Sequence, residues 1–371
     1  MVAQIKPNDD PQWAVLDPAG WPDDDVEYLR TAMRWHFGED TGSPFWLLRA
    51  ETLGFDPVRE IRSYEDLRRF PNVVEETRDI PVEDLIPRGY GKNPPAPRVF
   101  ESGGTTGVPK RIILMPDWMD SAIDRMIAGP QFAGREPGNI LVAVPSGPHK
   151  AGSLYDYVAA RQKTIKFTID IDPRWVKKLV KTRQHEQAAA YVEHLLDQIE
   201  HVLSSQRVSM MVITPPLLRA CARRPSLVDL INSKIELVFW GGAHMTVDER
   251  FELKYEYFPN ARMLSRYSSA MILTGARERQ GTNEDEDLIY DPPSPVVTFR
   301  VVDPETGEPV GYGSRGQVVM SHISKGMFLP NNAERDSAIR VRALPGQIGD
   351  SVSSPAPLDE FGGERVIEGI Y

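Results

Sequence analysis

Cysteine is almost absent from this sequence: Cys221 is the only one in 371 residues. A single thiol excludes an intramolecular disulfide and a multi-cysteine metal site. Long apolar runs are missing too, and none approaches the roughly 20 residues of a membrane span. The N-terminal stretch Met1-Val2-Ala3-Gln4-Ile5-Lys6-Pro7-Asn8-Asp9-Asp10 has no apolar signal core. The cytoplasm is the expected compartment, and no membrane partner is expected. Basic charge is short, with 43 Lys and Arg against 53 Asp and Glu and a formal net charge of −10. A nucleic-acid partner needs clustered Lys and Arg and is not expected. A small phosphorylated ligand stays open, because local donors can hold it. His-Glu-x-x-His is absent as well. His185-Glu186 and Glu193-His194 are spaced wrongly and read as a solvated helix face. The acidic run Glu284-Asp285-Glu286-Asp287 reads as an exposed loop, so no side-chain metal site is expected.

What is present is led by one segment, Phe100-Glu101-Ser102-Gly103-Gly104-Thr105-Thr106-Gly107-Val108-Pro109-Lys110-Arg111. Glycines permit positive φ and close backbone approach. Consecutive N–H groups in such a turn make an anion-binding concavity. Ser102, Thr105 and Thr106 add hydroxyls, and Lys110 adds a mobile positive charge. The run is not the common P-loop, because Val108 and Pro109 separate the last glycine from the lysine. It predicts a phosphate cradle.

Around that loop the chain alternates strands and helices. Residues 1–95 read as a helical, proline-interrupted region, with Asp23-Asp24-Asp25 at the start of a helix through Phe37. Residues 96–293 read as an α/β core. Arg111–Met115 is strand-like, and Asp117 is placed to cap the following helix. Ile140–Val144 is a continuous apolar run of the buried-strand type. Lys163–Ile171 alternates as a strand, and Ala188–Leu203 has helical spacing. Met210–Thr214 and Ile235–Trp240 are further strands, and Thr246-Val247-Asp248-Glu249 is a capping box. Residues 294–371 read as a β-rich module and tail. Strands alternating with helices predict α/β layering with largely parallel strands. Cys221 sits in a helical run and reads as buried packing.

Ser102 to Lys110 resembles the phosphate-loop signature of the adenylate-forming superfamily, whose members activate carboxylates with ATP to acyl-adenylates. The resemblance runs in order over roughly residues 40–350. It implies an α/β fold like the large N-terminal domain of those enzymes, and ATP or AMP as the ligand. Ser102, Gly103, Gly104, Thr105, Thr106, Gly107 and Lys110 would hold the phosphates, with Thr105, Thr106 and Lys110 acting in catalysis. Phe239-Trp240-Gly241-Gly242-Ala243 resembles the segment that lines the adenine, which assigns Gly241, Gly242 and Ala243. Leu264-Ser265-Arg266-Tyr267-Ser268-Ser269-Ala270-Met271 stands where the family has Tyr-Gly-x-Thr-Glu. Tyr267 would pack on the adenine, and Ser268 and Ser269 would border the acid. Met271 replaces the Glu that helps hold Mg²⁺, and a thioether suits a hard cation poorly. Gln347-Ile348-Gly349-Asp350 resembles the motif whose Asp accepts from the ribose hydroxyls. His149 and Gly152, after the Ile140–Val144 strand, would shape the acid pocket.

The family's mobile C-terminal domain has no counterpart from Ser351 on, where 21 residues are too few for a domain. In size the chain is similar to truncated members serving phenazine-antibiotic biosynthesis. That implies a small aromatic acid, a phenazine among the candidates, handed to a partner reductase or transferase. A homodimer stays open. Two other readings stay open as well. One is an acyl-protein synthetase, which needs an acyl-accepting cysteine that this chain does not carry after Cys221. The other is a nucleotide- or aryl-ligand-binding protein without full catalysis.

Overall fold

The computed structural model describes residues 11–17, 24–102, 109–129, 132–282, 286–358, 360–361 and 364–365. Ahead of the sheet lies a helical region. A 3-10 turn (Pro11–Leu16) is followed by α1 (Asp25–Phe37), α2 (Pro44–Ala50), α3 (Pro57–Glu60) and further 3-10 turns as far as Tyr90. Asp24 caps α1, its carboxylate accepting from the Val26 and Glu27 N–H groups. Those are two of the donors a helix start leaves unpaired.

A two-stranded antiparallel ribbon follows, β1 (Arg98–Glu101) with β2 (Arg111–Leu114). The glycine-rich segment connects these two strands. Next, α4 (Pro116–Ile127) begins at its proline, with Met115 as the cap position. Asp117 therefore lies inside the first turn, where it accepts from the Tyr90 hydroxyl at 2.8 Å. Proline displaces the expected start, because its fixed φ suits the first helical position.

The remaining elements are β3 (Ile140–Ala143), α5 (Lys150–Gln162), β4 (Lys166–Thr168), α6 (Pro173–Lys181), α7 (His185–Ser205), β5 (Met210–Ile213), α8 (Pro215–Ala222), α9 (Pro225–Lys234), β6 (Leu237–Trp240), α10 (Val247–Glu252) with a π-helical turn (Leu253–Tyr257), β7 (Arg262–Ser268), β8 (Gly275–Glu278), β9 (Ile289–Asp291), β10 (Val297–Val302), β11 (Arg315–Ser324), β12 (Met327–Val341), β13 (Ser351–Pro357), and the short pair β14 (Glu360–Phe361) and β15 (Glu364–Arg365). The expected long strand over 163–171 shrinks to three residues. Lys163 takes a left-handed conformation that ends α5, and Ile165 is exposed. The Thr246–Glu249 capping box forms as read.

Eleven of these strands make one sheet, in the order β10-β11-β12-β13-β9-β8-β7-β6-β5-β3-β4. From β4 to β7 all pairings are parallel, and from β7 onward all are antiparallel. The β-rich C-terminal stretch thus continues the α/β sheet through β13 on β9. Parallel strands buried on both faces need unbroken apolar runs. Ile140, Val142, Met210, Val212, Leu237 and Phe239 face one core. Their neighbours Leu141, Ala143, Met211, Ile213, Val238 and Trp240 face the other. Chain order reverses between β3 and β5, a switch point that opens a crevice beyond the carboxyl ends of the strands.

Four ring donors dock the N-terminal helices on the β11–β12 turn. The Tyr28 hydroxyl donates to Ile323 O at 2.7 Å, and Trp35 Nε1 to Lys325 O at 2.8 Å. His36 Nε2 donates to Ser324 O at 2.7 Å, and Trp46 Nε1 to Phe328 O at 2.9 Å. Each satisfies a buried carbonyl and a buried ring together, as burial demands. Among the described residues no helix is long and apolar enough to cross a membrane.

Candidate functional site

Two strands along from the β3–β5 switch point, the carboxyl ends of β6 and β7 border a cavity of about 130 Å³. Gly241, Gly242 and Ala243 border it where β6 ends, and Tyr267 and Ser268 border it from β7. Gly242 has φ +88°, a left-handed turn that favours glycine. Gly241 lies against the Arg266 carbonyl, which a Cβ would approach to 3.1 Å. Of the expected adenine-side residues, then, Gly241, Gly242, Ala243 and Tyr267 come together.

Tyr267 is fixed on three sides. Its ring meets Phe299 edge-on at 5.9 Å and Tyr290 at 6.0 Å. Its hydroxyl donates to Asp336 Oδ2 at 3.1 Å. Burial first, then the Asp336 charge, pushes this phenol well above its ordinary range, so it remains a donor. Asp336 and Arg335 also border the cavity. They lie in a bulge of β12, where Ala333 to Ser337 opposes only Val319 to Gln317, a step of 337 − 333 = 4 against 319 − 317 = 2. Bulges of this kind re-aim side chains beside functional sites. Glu334, in the same bulge, accepts from Asn332 at 2.6 Å and bonds the Ser269 hydroxyl. Burial and the Asp336 charge raise its pKa.

Asp350, expected at the ribose, does not border this cavity. Gly349, at φ +80°, packs so closely that a Cβ would sit 2.6 Å from Phe299 O. That turn delivers Asp350 into the protein, where Oδ1 accepts from Arg340 Nε at 2.8 Å and Oδ2 from Val301 N at 3.1 Å. Both oxygens are occupied. Among the described residues the carboxylates that border the cavity are Asp287 and Asp336; the sequence hides Asp336 inside Glu334-Arg335-Asp336, a triplet that reads as exposed charge.

Gly103, Gly104, Thr105, Thr106 and Gly107 lie outside the described residues. The stem of their loop is described. Ser102 N donates to Lys110 O at 2.9 Å, and Lys110 N to Ser102 Oγ at 3.0 Å. Lys110 was expected to be a mobile cation. Instead its Nζ lies 2.6 Å from a Glu75 oxygen, with only 13% of the side chain exposed.

His149, Gly152 and Ser269 do not border the cavity. His149 occupies the cap position of α5 and faces Arg174 and Lys177 of α6, with Glu101 and Asp172 nearby. Burial first, then those cations, pushes it down to about 4, so it is neutral at pH 7. Gly152 is pressed on the β3–α5 loop, where a Cβ would come within 2.6 Å of Ser146 Cα. Ser269 is reached from behind by Lys150, whose Nζ donates to Ser269 O at 3.4 Å and to Thr274 O at 3.1 Å. Met271, at the family's metal position, is buried in the apolar cluster with Trp46 and Phe328. Packing, rather than ligation, explains a thioether there.

Lys177 of α6 lies within electrostatic reach of Arg335, which borders the cavity, and of Arg174. Burial, Arg335 and Arg174 lower it to about 8. Among the described residues no group of three His, Cys, Asp or Glu could hold a metal alone. A nucleotide-borne Mg²⁺ needs only one or two carboxylates plus phosphates and water. Glu334 and Asp336 supply oxygens of that kind, and Met271 does not.

No protein-family model matches the sequence, and no curated protein matches it. Solved structures do match. One is 2-hydroxyisobutyryl-CoA ligase in complex with 2-HIB-AMP and CoA, at TM-score 0.60 and 16% identity, covering 96% of this chain and 70% of that one. The same ligase in a postadenylation state matches at TM-score 0.58 and 15% identity, over 92% and 70%. ATP-bound MatB from Rhodopseudomonas palustris matches at TM-score 0.50 and 18% identity, over 72% of this chain and 50% of that chain. These likenesses establish the fold, an α/β architecture shared with the large N-terminal domain of adenylate-forming enzymes.

Proposed function

We propose that this protein activates a small carboxylic acid with ATP, forming an acyl-adenylate and pyrophosphate. The observation that carries the reading is the meeting of Gly241–Ala243, Tyr267 and Asp336 around one cavity at the carboxyl ends of parallel strands. Structures sharing the fold hold ATP or an acyl-AMP in their crystals.

In this reading the Gly241–Ala243 turn and the Tyr267 ring form the adenine wall. Asp336 accepts from the ribose hydroxyls, with Tyr267 holding its carboxylate in place. The Ser102–Lys110 loop takes the phosphates, and Lys110 exchanges Glu75 for phosphate oxygen. Arg335 and Lys177 add positive charge at the polyphosphate end. Mg²⁺ would neutralise phosphate charge, with Glu334 as the residue able to hold it. The acid's carboxylate then attacks the α-phosphorus in line and pyrophosphate leaves. The protein's part is positioning and charge stabilisation.

An aromatic acid, a phenazine among the candidates, with hand-over to a partner reductase or transferase, is supported by the sequence resemblance alone. A second reading is a nucleotide-binding protein without turnover. It is favoured by Lys110 standing on Glu75 and Met271 in an apolar wall. Acid-dependent ATP–pyrophosphate exchange separates the two: exchange supports activation, and AMP binding without exchange for any acid supports the binder.

A further inference from the structure

Two cations, Arg266 and Lys150, meet beside the cavity, and among the described residues neither forms an ion pair. Arg266 borders the cavity from β7. Among the described residues its guanidinium has no hydrogen bond and no ion pair; the groups acting on it are Tyr155 and Arg277. Arg277 is its direct cross-strand partner on β8, so like charges stand opposite one another. Such pairs destabilise a sheet. Lys150 lies behind, 8% exposed, and spends two of its three N–H donors on Ser269 O and Thr274 O. The Arg266 charge acts on it in turn, and no acidic group does. Burying unpaired charge is costly, and a fold normally supplies a partner. Among the described residues none pairs with Arg266, which borders the cavity.

We propose that Arg266 is the specificity residue for a second carboxylate on the acid, with Lys150 supplying charge from behind, so that the substrate is a dicarboxylic acid. The inference rests on reading the cavity as an acid-activating site. The reacting carboxylate is a poor match for these cations. It loses its negative charge on becoming a mixed anhydride, and a cation pair holding the ground-state anion would oppose that step. A carboxylate that stays ionised throughout gains the same binding before and after. Arginine suits it, because the planar fork can take two carboxylate oxygens together.

The test uses the full chain with benzoate and benzene-1,3-dicarboxylate as probes at constant ionic strength, and AMP titrated separately. The wild type should bind the dicarboxylate at least about tenfold more tightly than benzoate. Arg266→Met should lose about tenfold to a hundredfold for the dicarboxylate and little for benzoate. AMP binding should be unchanged in that variant. Its melting temperature without ligand should equal or exceed the wild type's, because an opposed like charge is removed. Equal binding of the two acids, or an unchanged dicarboxylate affinity in Arg266→Met, overturns the proposal. So does a melting temperature well below the wild type's, which would make Arg266 a packing group. Failure of the wild type to bind AMP overturns instead the activation reading on which it rests.

Discussion

The Tyr267 hydroxyl donates to Asp336 across 3.1 Å, joining β7 to a bulge of β12 that lies 69 positions later in the chain. This contact brings a phenol ring, a carboxylate and the Gly241–Ala243 turn around one cavity. On the proposed reading Asp336, rather than Asp350, accepts from the ribose hydroxyls.

Replacing each aspartate should therefore have opposite consequences. Asp336→Asn should weaken AMP about tenfold to a hundredfold while changing the urea midpoint little. Asp350→Ala strands the half-buried Arg340 guanidinium and should cost about 3 kcal/mol of stability. Calorimetry and urea titration of both variants check this. Asp350→Ala losing AMP affinity with full stability would reverse the assignment.

The parallel half of the sheet was legible because it obeys a simple rule. Ile140–Val144, Met210–Ile213 and Leu237–Trp240 are apolar throughout, and strands buried on both faces must be. The acidic wall was not legible. Its bulge breaks the two-residue alternation, and Glu334-Arg335-Asp336 looks like solvent-facing charge. Gly349-Asp350 looked functional because a Gly-Asp turn ends the family motif. Only the packing of Gly349 on Phe299 shows that this turn points inward. Arg266 and Lys150 left faint marks, each a charge beside residues otherwise assigned to the site.

Lys110 and Glu75 make a nucleotide-dependent exchange testable. Lys110→Ala should weaken ATP more than AMP, because a cation at the outer phosphates matters little to AMP. Glu75→Gln should tighten ATP and leave AMP unchanged, since it removes the competing carboxylate. Calorimetric titration of both nucleotides decides. Equal effects on ATP and AMP would remove Lys110 from the phosphate site.

Restoring a glutamate at Met271 should not improve magnesium use. The position is buried among Trp46 and Phe328, so Met271→Glu places an unpaired carboxylate in an apolar cluster. Loss of several kcal/mol of stability, on the order of a buried unpaired charge, is the expected result. Glu334→Gln should instead weaken the Mg²⁺ dependence of ATP binding at near-normal stability. A stable Met271→Glu protein with enhanced Mg²⁺-dependent ATP binding would contradict this.

Stability should fall in mild acid through His36. Burial lowers its pKa from the ordinary 6.5 to about 4, opposed by its bond to Ser324 O. The unfolded chain takes up the proton first, so stability is present above about pH 6.5 and is lost as pH falls towards 4. The slope contributed is at most about 1.4 kcal/mol per pH unit. His36→Gln keeps a donor for Ser324 O and removes the titration. Denaturant titrations from pH 7.5 to 5 should show a shallower loss in this variant. Identical slopes would remove His36 as a source.

Acid-dependent ATP–pyrophosphate exchange, measured on the wild type, Asp336→Ala and a stability-matched surface variant, tests the central claim most directly. The account predicts exchange by the wild type with a carboxylic acid, unchanged in the surface variant and reduced about a hundredfold or more in Asp336→Ala. Nucleotide binding without exchange for any acid, or exchange indifferent to Asp336, would contradict it.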